Sequence, residues 1–236
     1  MTGKGLSGAQ VIVVDNEAIK LDYDRPTRVI SQGQWLVDNS ADNLPFVKKI
    51  LPRGYVMEAL NPIPTVDVEL YKVVTALADS VWRYAPTNLV DTAQTLLKVS
   101  RILELHAPHL LESAINQLAY IRKTDDCLTH GDPTAENVML RGEKYVVIDP
   151  LPSTEAVPDD LAVDVGKLLQ SAHGWEDIKG DQRASWSLEA VAAHFTPEVF
   201  EVGELWCIVH FMRTLPYVTK EVQPRVVGII EELLGF

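Results

Sequence analysis

The segment Leu128–Leu140, LTHGDPTAENVML, places an acid, Asp132, five residues before an amide, Asn137, and then enters an apolar run. Such a run is typical of a short strand. A second apolar run, YVVID, ends in another acid, Asp149, twelve residues after Asn137. The turn sequence RGEK between the two runs predicts a hairpin that would bring Asn137 and Asp149 together.

Two interpretations of this segment are open. An ordinary turn that starts at Asp132 and ends at Asn137 accounts for the residue types. It does not account for a second acid at the end of the paired strand. Carboxylate and amide oxygens are ligands that Mg²⁺ prefers, so Asn137 and Asp149 together are typical of a magnesium site. Asp132 would then remain available to accept a proton from a hydroxyl group, which favours a phosphoryl-transfer loop.

The N-terminal segment contributes two weaker signals. The sequence GKGLSGA (Gly3–Ala9) precedes the first apolar strand, and glycine and serine allow a backbone to approach a phosphate closely. A flexible terminal turn would have the same composition. Lys20 lies in AIKL, on the second strand of a predicted hairpin. A strand lysine is more often a solvated edge residue, but its position after a glycine-containing turn favours a role at a phosphate.

The chain changes character near the prolines of NPIP, residues 61–64. Before them we predict two hairpins and one helix, with Val29, Ile30, Leu36 and Val37 on the apolar face of that helix. After them, apolar residues recur at helical spacing. These helices are predicted near residues 70–81, 93–103, 110–119, 159–173, 186–195, 198–214 and 224–234. The sequence therefore predicts an α+β protein with a small strand-rich lobe, residues 1–60, and a larger helical lobe, residues 61–236.

Composition limits the classes of function. The 236 residues suit one large domain or two small lobes, and 47% of them are hydrophobic. No apolar run approaches the roughly 20 residues of a membrane span. The two distant cysteines, Cys127 and Cys207, suit a reducing cytoplasm, where we expect the protein to reside. A net charge of −12 argues against nucleic-acid binding and would suit a cationic substrate, although solubility alone is the ordinary explanation of such a charge.

The chain resembles the aminoglycoside phosphotransferase and choline kinase branch of the protein-kinase-like fold. HGDPTAEN resembles the HGDxxxxN catalytic loop of that branch, and VVIDP resembles the end of its metal-binding strand. DDLAVD (Asp159–Asp164) resembles the helix start that follows, and YVMEAL resembles the strand that leads to the interlobe hinge. The resemblance covers nearly the whole chain and is most specific from His130 to Asp164. It implies a two-lobed kinase-like fold with a β-rich N-terminal lobe.

The resemblance also implies roles for individual residues. Asp132 would be the catalytic base, Asn137 and Asp149 would hold Mg²⁺, and Lys20 would contact the α- and β-phosphates of ATP. The phosphates would be covered by Ser7, Gly8 and Ala9. The adenine would meet Met57 as gatekeeper and the hinge backbone from Glu58 to Leu60. His130 would pack behind the loop, and Asp160 would brace the loop and cap its own helix.

Three features of the sequence differ from protein kinases and bear on which kind of kinase-like protein this is. The lysine of this fold usually pairs with a glutamate on the first helix, but the nearest candidates here are Gln32 and Gln34. Thr134 stands where protein kinases carry a lysine, and only ten residues separate Asp149 from Asp160. A peptide-docking segment has no room there, so we expect a small hydroxylated acceptor resembling an aminoglycoside, a sugar or an amino alcohol. A nucleotide-binding pseudokinase is the alternative, and a protein kinase comes third.

The acceptor itself stays open at this stage. Acids after the metal strand would suit a cationic acceptor, although most of them are typical of solvated helix faces. They are Asp159, Glu176, Asp177, Asp181, Glu201, Glu204 and Glu221. Aromatic residues in the same half would suit stacking on a sugar or a quaternary amine, although core packing is the ordinary explanation. They are Trp175, Trp186, Trp206 and Tyr217. Nothing in the sequence indicates an oligomeric state.

Overall fold

A computed structural model of the chain describes residues 2–4, 9–83, 92–151 and 158–236. The first lobe contains an antiparallel sheet of five strands in the order β1-β2-β3-β5-β4. The strands are β1 (Thr2–Lys4), β2 (Gln10–Val14), β3 (Glu17–Leu21), β4 (Val47–Leu51) and β5 (Gly54–Glu58). Both predicted hairpins are present. The N-terminal segment differs from its predicted turn, because Thr2–Lys4 pairs with β2 as an edge strand. Ser7 and Gly8 lie outside the described residues.

Helix α1 (Pro26–Asp38) covers the sheet and packs on β4 and β5. Its buried face consists of Val29, Gln32, Gly33 and Leu36. The predicted apolar face was wrong at Val37, which is exposed, because the buried positions follow the spacing of three and four residues. The glycine that weakened the helix prediction has a packing role. A Cβ at Gly33 would lie 2.9 Å from Cβ of Tyr55, so its absence lets the helix approach β5 closely.

A second sheet begins where the chain enters the helical lobe. It has three strands in the order β6-β7-β8, namely β6 (Asn61–Pro62), β7 (Val138–Arg141) and β8 (Lys144–Val147). Asn43, in the loop before β4, joins this sheet to the first lobe. Its Nδ2 donates to the Tyr145 carbonyl at 2.9 Å, and its own carbonyl accepts from the Val147 amide at 2.9 Å. The change of sheet between β5 and β6 fits the boundary predicted near residue 61, which stays a prediction.

The rest of the helical lobe is built around helix α5. The helices are α2 (Leu70–Ser80), α3 (Thr92–His106), α4 (Leu111–Leu118), α5 (Leu161–Ala172), α6 (Trp175–Ile178), α7 (Leu188–Ala192), α8 (Pro197–Thr214) and α9 (Gln223–Leu234). Helix α7 is shorter than predicted, and α6 was not predicted. Helix α5 packs most extensively on α8, where Gly166 and Gly203 bring the two helices close together. Every residue of α5 after Leu161 is buried, polar ones included.

None of the helices in the described ranges is both long and apolar enough to cross a membrane. The two cysteines are free and buried, as expected of structural thiols.

Candidate active site

The loop at 128–137 is held by a buried acid of α5. The Oδ2 atom of Asp164 accepts from the His130 amide at 2.9 Å and from Trp82 Nε1 at 2.8 Å, and Oδ1 accepts from the Gly131 amide at 2.6 Å. Burial raises the pKa of this carboxyl to about 6, although the three donors oppose the shift. Two backbone groups that would otherwise lack partners are therefore fixed by one side chain.

Asp164 thus makes the described hydrogen bonds to the loop amides, whereas the bracing role of Asp160 stays a prediction. Asp160 does cap α5, since its Oδ1 accepts from the Ala162 amide at 3.0 Å, and it also bonds Thr124. As the N-cap it points toward its own helix end and the segment before the loop. Asp164 lies one turn further along α5 and faces the loop amides. An acid inside an otherwise apolar helical run was the sequence signal for this role.

Gly131 allows the turn in this loop. Its φ is +80°, and a Cβ there would lie 2.4 Å from the Leu151 carbonyl oxygen. Next to Gly131, the Leu151 amide donates a hydrogen bond to the His130 carbonyl at 2.8 Å. The loop and the chain that leaves β8 are therefore in direct backbone contact, and a side chain at position 131 would separate them.

Asp132 is held at both its backbone and its carboxylate. Asn137 Nδ2 donates to the Asp132 carbonyl at 2.8 Å, and Lys167 Nζ lies 3.0 Å from Oδ1 of Asp132. Burial would raise the pKa of Asp132, but the charge and hydrogen bond of Lys167 outweigh it and hold the pKa below its ordinary value. The carboxylate is therefore ionised at neutral pH. Sequence reasoning missed Lys167, which lies three residues after Asp164 on the same helix.

Asn137 and Asp149 lie side by side across the base of the β7–β8 hairpin. The Ile148 amide donates to the Asn137 carbonyl at 2.8 Å, next to the Val138–Val147 pair. Both Asn137 amide hydrogens face the loop, toward Asp132 and Thr134, which leaves Oδ1 for another ligand. Asp149 has a φ of +61°, an uncommon backbone conformation for a residue other than glycine.

The donor set fits Mg²⁺. One amide oxygen and one carboxylate are hard ligands, and Mg²⁺ commonly takes one or two protein groups together with phosphate oxygens and water. No cluster of three or more His, Cys, Asp or Glu side chains able to hold a metal occurs in the described ranges. Asn137 and Asp149 would therefore hold the ion together with other ligands, such as phosphate oxygens and water.

Lys20 reaches the same place from the first lobe. It is buried on β3, and its Nζ lies 2.7 Å from Oδ1 of Asp149. The two glutamines considered as its helix partner bond elsewhere. Gln32 donates to the Pro150 carbonyl at 2.9 Å, and Gln34 donates to Asp38 at 2.8 Å. From the sequence we expected the partner of Lys20 on α1. In the structure Lys20 pairs with Asp149 instead.

The predicted adenine-binding residues lie at the end of β5. Met57 is buried opposite Ala18, and Glu58 pairs with Arg141 and accepts from the Phe46 amide at 2.8 Å. Ala9 is buried, and Leu60 is half-buried. The Ala59 amide is bonded to the Asn16 carbonyl at 3.0 Å, so it is occupied within the lobe.

His130 is fully buried behind the loop. Its ring meets Trp35 edge to face, with the ring centroids 6.1 Å apart. Burial lowers its pKa to about 4, so the imidazole is neutral at neutral pH. The position agrees with the packing role predicted for it.

Asp132, Asn137 and Asp149 line one cavity of about 270 Å³. Residues 59–202 of the chain match the phosphotransferase enzyme family. The chain belongs to this family. Its kinase-like fold, with a small β-rich lobe and a helical lobe, is the one the sequence predicts. No curated protein sequence matches the chain.

Solved structures of other phosphotransferases share the fold of this family member. An aminoglycoside phosphotransferase in complex with streptomycin and ATP is 16% identical, with a TM-score of 0.57 over 100% of this chain and 93% of that one. A protein described as a fructosamine-3-kinase from Thermobifida fusca is 14% identical, with a TM-score of 0.61 over 99% and 92%. A choline/ethanolamine kinase family protein from Mesorhizobium loti is 12% identical, with a TM-score of 0.54 over 100% and 88%. At sequence identities this low, the comparison shows a common fold and no more.

The acids considered for a cationic acceptor lie outside the described lining of the cavity. Glu176 is buried and accepts from Ser171 at 2.6 Å, and Asp177 pairs with Arg225 at 2.8 Å on the surface. Among the aromatic residues, Trp175 and Tyr217 line the cavity. Trp186 and Trp206 belong to the core.

Proposed function

We propose that this protein transfers the γ-phosphoryl group of ATP, with Mg²⁺, to a hydroxyl of a small molecule. The observation that carries the proposal is the convergence of Asp132, Asn137 and Asp149 on one cavity. Lys20 and Lys167 are ion-paired to two of these groups. An ordinary turn would require none of these contacts.

In the proposed reaction Asp132 acts as general base. Its carboxylate is ionised and would accept the proton of the acceptor hydroxyl as the new oxygen–phosphorus bond forms and the bond from γ-phosphorus to ADP breaks. The proton then leaves Asp132 for water. Lys167 keeps the carboxylate ionised and fixes its direction.

Lys20 and Asp149 would orient the nucleotide. Lys20 places a buried positive charge where the α- and β-phosphates are expected, and it would exchange its contact with Asp149 for one with phosphate oxygen. Bound Mg²⁺, held by Asn137 Oδ1 and Asp149, would offset the charge of the phosphates. We assign Ala9, Met57, Glu58 and Leu60 to the nucleotide's other contacts, together with Ser7 and Gly8.

The first test measures thermal stability with ATP, with and without Mg²⁺. A ligand at about one hundred times its dissociation constant stabilises a fold by roughly 2.7 kcal/mol, so a Mg²⁺-dependent rise in Tm is expected for the wild type. Asp149→Asn should lose the Mg²⁺ dependence. Asp42→Asn is the matched control, because Asp42 also pairs with a lysine but lies on the surface. Equal behaviour of the two variants would contradict the assignment of Asp149.

The second test measures phosphoryl transfer. Asp132→Ala should lower kcat by about a hundredfold to ten-thousandfold, the ordinary contribution of a general base, while the ATP-dependent Tm shift persists. Undiminished transfer by the variant would remove Asp132 from the mechanism. A wild type that binds MgATP but phosphorylates no acceptor would instead be a nucleotide-binding module.

A further inference from the structure

The cavity beside Asp132 extends into the helical lobe and away from the predicted nucleotide contacts. Its lining includes Lys98 and Ile102 of α3, together with Thr214 and Tyr217 at the end of α8. The hinge residues and the glycine-rich segment are not part of its described lining. Given the proposed function, on which this inference rests, the cavity is the place of the acceptor.

The charge of this cavity is opposite to that of the chain. Its described lining carries six basic side chains and three acidic ones, against a net charge of −12 for the whole protein. The basic residues are Arg25, Arg28, Lys98, Lys167, Lys179 and Arg213. The acidic residues are Asp132, Glu136 and Asp149. A local reversal of this size concentrates negative ligands in the cavity.

All three acids already have lysine partners. The base and the predicted metal ligand pair with lysines as described above. Glu136 pairs with Lys179 through Oε2, and its Oε1 accepts from Trp175 Nε1 at 3.0 Å. The carboxylates of the lining are therefore committed to protein groups, which leaves little to attract a polyamine.

Two cations of the described lining have no acid partner among the described residues. They are Arg28 on α1 and Lys98 on α3. Arg28 Nε is buried and finds no hydrogen-bond acceptor among the described residues. A buried guanidinium donor that lacks an acceptor is costly, and an oxyanion in the cavity would supply one.

Two buried acceptor atoms complete the lining. His210 Nε2 lies 3.1 Å from the Val163 carbonyl, so it carries the hydrogen and leaves Nδ1 as an acceptor. Burial, reinforced by nearby cations, holds the pKa of His210 well below its ordinary value, so the ring is neutral. Neither His210 Nδ1 nor Gln32 Oε1 has a partner within the described ranges. Hydroxyl groups would satisfy both.

We propose that the acceptor is a small polyhydroxylated molecule that carries a phosphate or a carboxylate. Arg28 of α1 and Lys98 of α3 hold its oxyanion, and Gln32 and His210 accept from its hydroxyls. This chemistry is opposite to that of an aminoglycoside or choline, whose charged groups are cationic. It also replaces the cationic acceptor that the overall charge of the chain would suit.

The test uses four probes that share a three-carbon scaffold and differ in charge. They are glycerol 3-phosphate, glycerate, glycerol and 3-amino-1,2-propanediol, titrated at pH 7.5 and constant ionic strength. Binding is followed by thermal stability, both with saturating MgADP and without nucleotide. We expect the two anions to bind about tenfold more tightly than glycerol, and the amine no better than glycerol. The order of the two anions distinguishes phosphate from carboxylate.

Charge reversal locates the interaction. Lys98→Glu should weaken glycerol 3-phosphate binding about tenfold, because an exposed cation of the cavity becomes an anion. Lys49→Glu is the matched control, since Lys49 is an exposed lysine on β4 that is not part of the cavity lining. It should change binding less than twofold.

Several results would overturn the inference. They are binding of the amine as tight as that of the anions, indistinguishable binding of all four probes, or equal effects of the two lysine variants. Failure of the proposed function is a separate outcome. A protein that does not respond to MgADP but binds the anions in the expected order would keep the anionic site and lose the kinase.

Discussion

The two sides of the candidate active site are built in different ways. On the side of the catalytic loop, backbone amides, a glycine with positive φ and the base are all fixed by hydrogen bonds to buried residues of α5 and the chain after β8. On the side of the first lobe, Lys20 has one described ion pair, with a residue that would also hold the metal. The loop is fixed whether or not a ligand is present. Under the proposed function, Lys20 would exchange Asp149 for a phosphate oxygen when a nucleotide binds.

This difference separates stability from ligand response. A group whose contacts are all internal, such as Asp164, contributes to folding, and its removal should lower the free energy of unfolding. A group whose final partner is a ligand contributes little to folding and much to turnover. Substitutions on the two sides should therefore give opposite patterns of unfolding free energy and kinetics.

The largest effect is expected for Asp164→Asn. The asparagine side chain keeps one acceptor oxygen. Its NH₂ group, however, cannot accept, so backbone N–H or indole N–H donors that bind Asp164 would lose their acceptor. We expect the free energy of unfolding to fall by about 4 kcal/mol, from more than one lost charge-assisted bond. Chemical denaturation measures the change. Asp160→Asn is the control, since asparagine also caps helices, and its cost should be about 1 kcal/mol or less. A loss of similar size in both variants would contradict the placement of the loop brace at Asp164.

Lys20→Met should give the opposite pattern. Methionine fills a similar volume on β3, and Asp149 is open enough to be hydrated, so the unfolding free energy should change by about 1 kcal/mol. The kcat/KM for ATP should fall about a hundredfold or more, close to 3 kcal/mol, because a preorganised cation at the phosphates is lost. Lys48→Met, an exposed lysine on β4, provides the control. A stability loss as large as that of Asp164→Asn would remove the distinction between the two sides.

The smallest effect is on the pH dependence of stability, in which two buried groups on the loop side, His130 and Asp164, act in opposite directions. His130 has a pKa of about 4 in the folded protein, below the ordinary value of the unfolded chain. As the pH drops from 7 to 5, this imidazole therefore takes up a proton in the unfolded chain but not in the folded protein, and the free energy of unfolding falls. Asp164, with its pKa raised to about 6, works in the opposite direction, because its stability contribution is lost as the pH rises through 6. His130→Asn should remove the first effect.

Wild type should therefore lose about 2 kcal/mol more than His130→Asn between pH 7 and pH 5. Denaturation curves at both pH values measure this difference. Parallel losses in the two proteins would mean that the imidazole is not buried in its neutral form.

The sequence predicts best where local spacing and chemistry coincide. The loop from His130 to Asn137, the hairpin that follows and Asp149 could be identified because each step is short and each residue type has a chemical reason. The roles of Asp164 and Lys167 could not be found in this way. Both depend on which face of α5 turns toward a loop more than thirty residues earlier, and that is decided by the packing of α5 on α8. The charge of the cavity was hidden for the same reason, since its cations come from five separate elements.

The contact between α5 and α8 has a consequence for how acceptor preference can diversify. Helix α5 carries the lysine paired to the base, and α8 carries His210 and Arg213 of the cavity wall. A Cβ on either of the glycines between them would collide with the opposite helix, so the two helices have little freedom to shift. A substitution that reshapes the α8 wall would therefore displace Lys167 and its partner Asp132 as well. Under the proposed function, new acceptors would be more readily accommodated by substitutions on α3 and α6, which line the cavity without this constraint.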